Sequence, residues 1–203
     1  MKLIYSKKYT QYTRLELMEK VSAQMSKKRF THVLGVEETA IKLAQMNNGD
    51  VEKASIAALV HDYAKERADE EMIAFIHSHH LDEELIIFGN NIWHGIIGAE
   101  LIKLELGIHD EEILNAVRKH TTGDMVMSLL DKIIYVADYI EPNRRFPLVE
   151  QARKIAFENL NEAVKFETKH TLEYLIKQEA LIYPKTITTY NTWVATVNRH
   201  LNK

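Results

Sequence analysis

Apolar residues recur at every third or fourth position through most of this chain, which is the spacing of helices with one buried face. Short polar turns separate these segments. At 47–50 the sequence Asn-Asn-Gly-Asp ends one segment and offers a cap to the next. The pattern predicts helices over residues 10–25, 27–46, 51–62, 72–77, 92–104, 111–119, 125–139, 149–182 and 188–200. We therefore expect a fold of packed helices.

Two of these segments are apolar runs that end in an acidic residue. The run from 54 to 60 is small and apolar except for Ser55, and it leads directly into His61-Asp62. The segment from 129 to 137, apolar except for Asp131 and Lys132 and including Tyr135, leads in the same way into Asp138. A helix that is apolar on most faces is buried, and a buried imidazole or carboxylate must be hydrogen-bonded, paired or bound to a metal. These helix ends are therefore the first candidates for a functional site.

Two other histidine-rich places are predicted to be solvated. Gly107 is typical of the residue after a helix end, and Asp110 is placed to cap the next helix, so His109 between them belongs to a loop. The tract 77–80, His-Ser-His-His, lies between two acidic segments with no buried pattern around it. We expect neither place to form a specific metal site.

The composition narrows the fold class and the partners. Seven Gly, three Pro and an excess of helix-forming residues among 203 predict an all-α protein. We expect one domain over residues 1–203, with a core at about 27–140 and C-terminal helices at 147–200 packed on it. A formal charge of −3 gives no reason to expect nucleic acid or membrane as a partner, and the lack of cysteine excludes a thiolate site. The N-terminal residues lack the apolar core of a signal peptide, so we expect a cytoplasmic location.

Three further histidines are candidates because of where they fall in the predicted helices. His32 lies beside the apolar stripe of its helix, His94 lies in the first turn of another, and His120 lies at a helix end. Each alone is more often a structural histidine than a ligand. Together with the two acids they form a sulfur-free set of donors, which suits iron, manganese, zinc, cobalt or nickel and disfavours copper(I).

The order and spacing of these residues resemble the HD-domain superfamily of metal-dependent phosphohydrolases. Within it the chain is most similar to the bacterial hydrolases that split diadenosine tetraphosphate symmetrically. The resemblance covers nearly the whole chain. It rests on Arg29-Phe-Thr-His32, Leu-Val-His61-Asp62-Tyr-Ala-Lys65, Ile-Trp-His94-Gly, Lys-His120-Thr121-Thr-Gly and Val-Ala-Asp138-Tyr-Ile-Glu-Pro-Asn-Arg144.

The resemblance implies an HD-domain helical bundle, a reaction and a set of site residues. The reaction is hydrolysis of diadenosine tetraphosphate to two ADP. The implied iron ligands are His32, His61, Asp62 and Asp138. The implied nucleotide pocket consists of Arg29, Asp62, Tyr63, Ala64, Lys65, His94, His120, Thr121, Asp138 and Arg144, with a further contact from the tract Tyr183-Pro184-Lys185. Related HD proteins hold a second metal with histidines placed like His94 and His120, so one metal or two stays open.

The residue types also suit the reaction on chemical grounds. Splitting a polyphosphate anhydride needs a water activated near neutral pH, which a metal provides, and Asp62 is placed to orient that water. It also needs positive charge at the phosphoryl oxygens, for which Lys65, Arg29 and Arg144 are candidates. A protonated His94 or His120 would stabilise the leaving diphosphate.

Two other functions stay open at this point. One is an HD phosphohydrolase that acts on nucleotides, deoxynucleotides or cyclic dinucleotides. The other is a nucleotide-sensing HD module that binds without turnover, which loss of a metal ligand would favour, and this chain retains all four. A homodimer is also left open.

Overall fold

The protein is entirely helical in the part that the structure, a computed structural model, describes. Residues 3–201 are described, with side chains described as far as residue 195. Eleven helices and no strand occur in this range. They are α1 (Arg14–Ser22), α2 (Lys27–Met46), α3 (Val51–Val60), α4 (Asp69–Ser78), α5 (Glu84–Phe88), α6 (Asn90–Leu106), α7 (Glu111–Lys119), α8 (Leu129–Ile140), α9 (Val149–Glu158), α10 (Leu160–Lys177) and α11 (Pro184–Leu201). The predicted all-α fold is confirmed.

Capping residues begin α2, α3 and α7 where the sequence predicted, whereas α1 and α8 begin four residues later than predicted, after the caps Thr13 and Ser128. The side chains of Ser26 and Asp50 accept hydrogen bonds from backbone N–H groups in the first turns of α2 and α3. Asp110 does the same for α7, and Gly107 after α6 has the left-handed conformation at φ 62°. Each cap satisfies backbone groups that the first or last helical turn leaves unpaired.

Helix α3 lies at the centre of the bundle. Every residue from Ala54 to Val60 is buried, and α3 contacts α2, α7 and α8. Helices α9 and α10 pack against α8, and α11 packs against α10. Because α3 is surrounded in this way, the residues at its C-terminal end are inside the protein. In the part of the chain that is described, no helix is long and apolar enough to cross a bilayer.

The predictions for the C-terminal third were wrong in detail. The helix predicted over 149–182 is two helices, because Asn159 leaves the helical conformation (φ −155°, ψ 108°) and caps α10 with its side chain. The last helix begins at Pro184 rather than near residue 188, since proline suits the first helical position. The short helix α5 was not predicted, and its five residues are too few to show a period.

Candidate metal and nucleotide site

Four histidines and two aspartates from five helices or helix ends converge at the C-terminal end of α3. His32 comes from α2, His94 from the first turns of α6, and Asp138 from the last turn of α8. His61-Asp62 and His120 directly follow α3 and α7. Three overlapping groups bring their donor atoms within 4.8 Å of one another: His32, His61 and Asp62; His61, His120 and Asp138; and Asp62, His94 and His120. All six residues were predicted as site residues.

All four imidazoles are oriented by a hydrogen bond at Nδ1. Three of the Nδ1 atoms face backbone carbonyl oxygens, which can only accept, so the proton lies on Nδ1. The fourth faces a carboxylate. The partners are Ala58 O for His61 (2.7 Å), Asn90 O for His94 (2.6 Å), Val117 O for His120 (2.7 Å) and Glu141 Oε1 for His32 (3.2 Å). The Nε2 lone pairs are therefore available to the interior of the site, as in a metal centre.

Asp62 stands between two groups of histidines. Its Oδ2 lies 3.5 Å from His61 Nε2 and 3.7 Å from His32 Nε2. Its Oδ1 lies 3.4 Å from His94 Nε2 and 3.7 Å from His120 Nε2. The two oxygens of one buried carboxylate thus face different sets of imidazole nitrogens.

The donor atoms fit a divalent metal. Among the described residues, the buried Nε2 atoms of His32 and His61 have no hydrogen-bond partner. His32 Nε2 lies 3.1 Å from Asp138 Oδ1 without the alignment of a hydrogen bond. Burial lowers the pKa of His61 to about 4, so this imidazole is neutral at pH 7 and able to act as a ligand. Buried acceptors left bare are costly, and a cation bound among them would satisfy them.

Both carboxyl groups of the site are ionised at neutral pH. Burial acts to raise the pKa of Asp62, but the neighbouring His61, His120 and His94 outweigh it and hold the pKa well below the ordinary value. Burial acts in the same way on Asp138, where the close approach of His32 and the positive charge of Arg144 outweigh it and lower the pKa. Two anionic groups therefore face the imidazole nitrogens of the site.

Cationic side chains surround the two aspartates. Arg29 Nη1 donates to Asp62 Oδ2 at 2.9 Å, and Arg144 Nη2 donates to Asp138 Oδ1 at 2.5 Å. Burial lowers the pKa of Lys65, whose Nζ donates to Asn91 Oδ1 at 3.2 Å. These three cations were predicted, and the structure places all of them beside the carboxylates or His94.

Lys65 and Thr121 both approach the histidines of α6 and α7. Lys65 Nζ lies 3.4 Å from His94 Nδ1, but that nitrogen already carries the proton shared with Asn90 O and cannot accept another. Thr121 Oγ1 lies 3.3 Å from His94 Nε2 and 3.2 Å from His120 Nε2, so its hydroxyl can donate to either. The predicted residue Thr121 is thus part of the cluster.

The side chains of two predicted pocket residues face elsewhere. The hydroxyl of Tyr63 donates to Glu105 Oε2 at 2.7 Å, on the side of the turn away from the histidines. Ala64 is fully buried, and a Cβ added to Gly98 would lie 3.4 Å from its methyl group. Both residues are buried, so neither side chain is open to a nucleotide.

The tract at 183–185, His109 and the histidines of the 77–80 tract lie outside the cluster. Tyr183 packs edge-on against Phe88 at 5.0 Å between ring centroids, and Lys185 Nζ is paired with Asp124 Oδ2 at 2.6 Å. His109 is exposed, as are the histidines of the 77–80 tract, which confirms their predicted exposure.

The sequence interpretation missed Glu141, which supports His32. This residue is 2% exposed, its Oε1 accepts from His32, and its Oε2 accepts from Asn143 N at 2.6 Å. Gly35 provides the space, because a Cβ there would lie 2.4 Å from Glu141 Oε2. The sequence did contain a signal for this role, because Glu141 is a carboxylate that lies between Ile140 and a proline, directly after a largely apolar helix.

Comparison with known proteins identifies relatives over most of the chain. The HD domain family matches residues 29–143. A protein of Bacillus subtilis (strain 168) named symmetrical bis(5′-nucleosyl)-tetraphosphatase is 44% identical over 182 residues, which cover 90% of this chain and 98% of that protein. A protein of Halalkalibacterium halodurans with the same name is 43% identical over 174 residues, covering 86% of this chain and 93% of the relative.

A solved structure shares the fold. It is a crystal structure from Clostridium acetobutylicum described as a "predicted HD superfamily hydrolase involved in NAD metabolism". It superposes with a TM-score of 0.86 at 39% sequence identity, and the match covers 91% of this chain and 98% of the other.

Proposed function

Because the chain belongs to the HD domain family, we propose that it is a metal-dependent hydrolase that splits diadenosine tetraphosphate symmetrically into two ADP. The observation that carries the proposal is the cluster itself. Four imidazole Nε2 atoms and two ionised carboxylates meet at the end of α3, with three cations beside them. The substrate is a small nucleotide, as the names of the relatives state for those proteins. The cytoplasmic location and the homodimer stay predictions.

We assign the metal to His32, His61, Asp62 and Asp138. Support comes from the two unpartnered Nε2 atoms and from the lowered pKa values of both carboxyl groups. Iron is the metal we propose, and the nitrogen and oxygen donors also suit manganese, cobalt, nickel or zinc. When bound, such an ion supplies a Lewis acid that activates water near neutral pH and polarises phosphoryl oxygens.

The residues around the ligands then have separate tasks. Asp62 orients the attacking water by accepting a hydrogen bond from it at one of the two carboxylate oxygens. Arg29 and Arg144 hold phosphoryl oxygens beside the two aspartates, and Lys65 places a further charge on the side of His94. The water oxygen bonds to one of the two central phosphorus atoms, the bridging P–O bond breaks, and the bridging oxygen leaves with the second ADP.

The role of His94 and His120 has two candidate answers. Burial lowers the pKa of His94 to about 4, so at pH 7 it has no positive charge with which to meet a phosphate. Its Nε2 lies 2.9 Å from His120 Nε2 and 3.4 Å from Asp62 Oδ1, which makes three acceptors facing one another. This arrangement favours a second cation over the direct phosphate contact that the sequence led us to expect.

Metal analysis separates the two answers. If a second cation binds, elemental analysis should find two ions per chain in the wild type. It should find one ion per chain in each of the His94→Ala and His120→Ala variants. One ion in all three proteins would instead support the phosphate contact.

The reaction is tested by anaerobic iron reconstitution followed by chromatography of the products from a panel of dinucleoside polyphosphates and mononucleotides. In ¹⁸O-labelled water, ADP should be the sole nucleotide product from diadenosine tetraphosphate and should carry the label. A mixture of AMP and ATP would refute symmetric cleavage. Preferential turnover of deoxynucleotides or cyclic dinucleotides would identify another HD phosphohydrolase, and tight binding without turnover would identify a sensing module.

A further inference from the structure

An open space adjoins the metal site beside His32. It has a volume of about 670 Å³ and is lined by His32, Arg29 and Arg144 from the site together with Lys28, Arg145 and Phe146. Lys65, Thr121, His94 and His120 do not line it. The site therefore opens into this cavity beside His32, and the expected nucleotide contacts from α6, α7 and the 183–185 tract are not part of the cavity lining. The volume falls within the range of small-molecule sites.

The charge of the cavity suits a phosphorylated ligand. Four cationic side chains line it, namely Lys28, Arg29, Arg144 and Arg145, against the two acids Glu66 and Glu141. Both acids are already engaged by neighbouring groups. Glu66 accepts from the backbone N and the hydroxyl of Ser26, and Glu141 accepts from His32 and Asn143. The four cations thus outnumber the two acids in the lining, and although Arg29 and Arg144 are also paired with Asp62 and Asp138, such an excess of cationic side chains attracts anions.

The cavity also has one aromatic wall. Phe146 is half-buried, and its ring packs against Tyr139 with 4.7 Å between the centroids. A ring fixed in this way offers a platform on which a nucleobase can stack. Phosphate-binding cations near the metal ligands and an aromatic surface in the same cavity are the two elements that recognise a nucleoside diphosphate.

We propose that this cavity, between the first turn of α2 and the loop at 143–146, binds the second nucleoside diphosphate half of the substrate. The inference rests on the proposed function, because symmetric cleavage places the broken bond at the metal with one ADP on each side. His32, Arg29 and Arg144 belong to both the site and the cavity. A polyphosphate chain that extends from one into the other can therefore stay in contact with cationic side chains.

The test compares a substrate that has two nucleosides with one that has a single nucleoside. Adenosine 5′-tetraphosphate can place its only adenosine on the α6 side and leave the cavity to inorganic phosphate groups. Phe146→Ala should therefore lower kcat/KM for diadenosine tetraphosphate about 10-fold, mainly through KM, and leave kcat/KM for adenosine 5′-tetraphosphate unchanged. Phe157→Ala, a partly exposed phenylalanine on α9 outside the cavity, is the matched control and should change neither value.

A binding measurement gives an independent readout. Equilibrium dialysis of ADP against metal-loaded protein should find two ADP per chain in the wild type and one in Phe146→Ala. Equal losses for both substrates, no loss for either, or one ADP per chain in the wild type would overturn the proposal. If the wild type makes ADP from diadenosine tetraphosphate while the substrate ratio does not move, only the cavity assignment fails. If it makes no ADP at all, the proposed function fails and the cavity assignment fails with it.

Discussion

The contact between Gly35 and Glu141 gives a prediction whose size follows from the structure. Glu141 Oε1 accepts the Nδ1 proton of His32, and so fixes the direction of the Nε2 lone pair toward the metal. A methyl group at residue 35 would lie 2.4 Å from Glu141 Oε2, which is about 1 Å inside the shortest ordinary van der Waals contact of 3.4 Å. The carboxylate must move to make room. A shift of this size breaks a hydrogen bond that is 3.2 Å long.

The expected cost is a loss of metal affinity rather than of stability. Outer residues that orient a ligand histidine typically change metal affinity by about 10- to 100-fold, or about 1.4 to 2.7 kcal/mol. Gly35→Ala should therefore weaken metal binding at least about 10-fold, and Glu141→Gln should do the same because it removes the charge. The metal-free Gly35→Ala protein should keep its stability within about 1 kcal/mol, since alanine is the better helix former.

The measurement is a metal competition titration against a chelating dye, with urea unfolding of the metal-free proteins alongside. Gly98→Ala is the control, because its added Cβ meets Ala64 at an ordinary 3.4 Å. A double-mutant cycle makes the test sharper. In a Glu141→Ala background the added Cβ keeps only its milder 3.2 Å contact with Asn143 Nδ2, and the hydrogen bond to His32 is already lost, so Gly35→Ala should change metal affinity less than about twofold. Wild-type affinity in Gly35→Ala, or additive losses in the double variant, would refute the reasoning.

Three further predictions concern the ligands, the cations and pH. His61→Ala should lose both bound metal and activity, whereas His109→Ala should behave as wild type in elemental analysis and turnover. Lys65→Ala should keep its metal content and lower kcat by about 10² if the charge acts chiefly in the transition state; unchanged kcat would contradict this. Asp124→Asn should lower the free energy of unfolding at pH 7 by up to about 1 kcal/mol. Although burial acts against it, the hydrogen bond to Lys185 lowers the folded pKa of Asp124 below 3.8, so this contribution is present above that value and lost as pH falls further. Urea unfolding of both proteins at pH 7 and about pH 3 should show the difference shrinking, and a constant difference would exclude the ion pair as its source.

The helices were largely predictable because their causes are local. A cap such as Asp110 acts on N–H groups two and three residues away, and an apolar stripe repeats within a single turn. The errors occurred where local patterns were ambiguous. Asn159 interrupts an otherwise continuous helical pattern, and only the packing of α9 and α10 onto α8 requires the chain to turn there.

The sequence by itself determined that Asp62 and Asp138 would lie at the ends of helices packed inside the protein, because largely apolar segments of that length must be covered on most faces. It could not determine which way each side chain points. His94 and His120 are 26 residues apart, and their Nε2 atoms meet at 2.9 Å only because α6 packs on α7. Tyr63 directly follows Asp62 yet faces Glu105, since adjacent residues in a turn leave the backbone in different directions. The direction of a side chain at a helix end depends on contacts with helices distant in sequence, and those contacts exist only once the bundle has assembled.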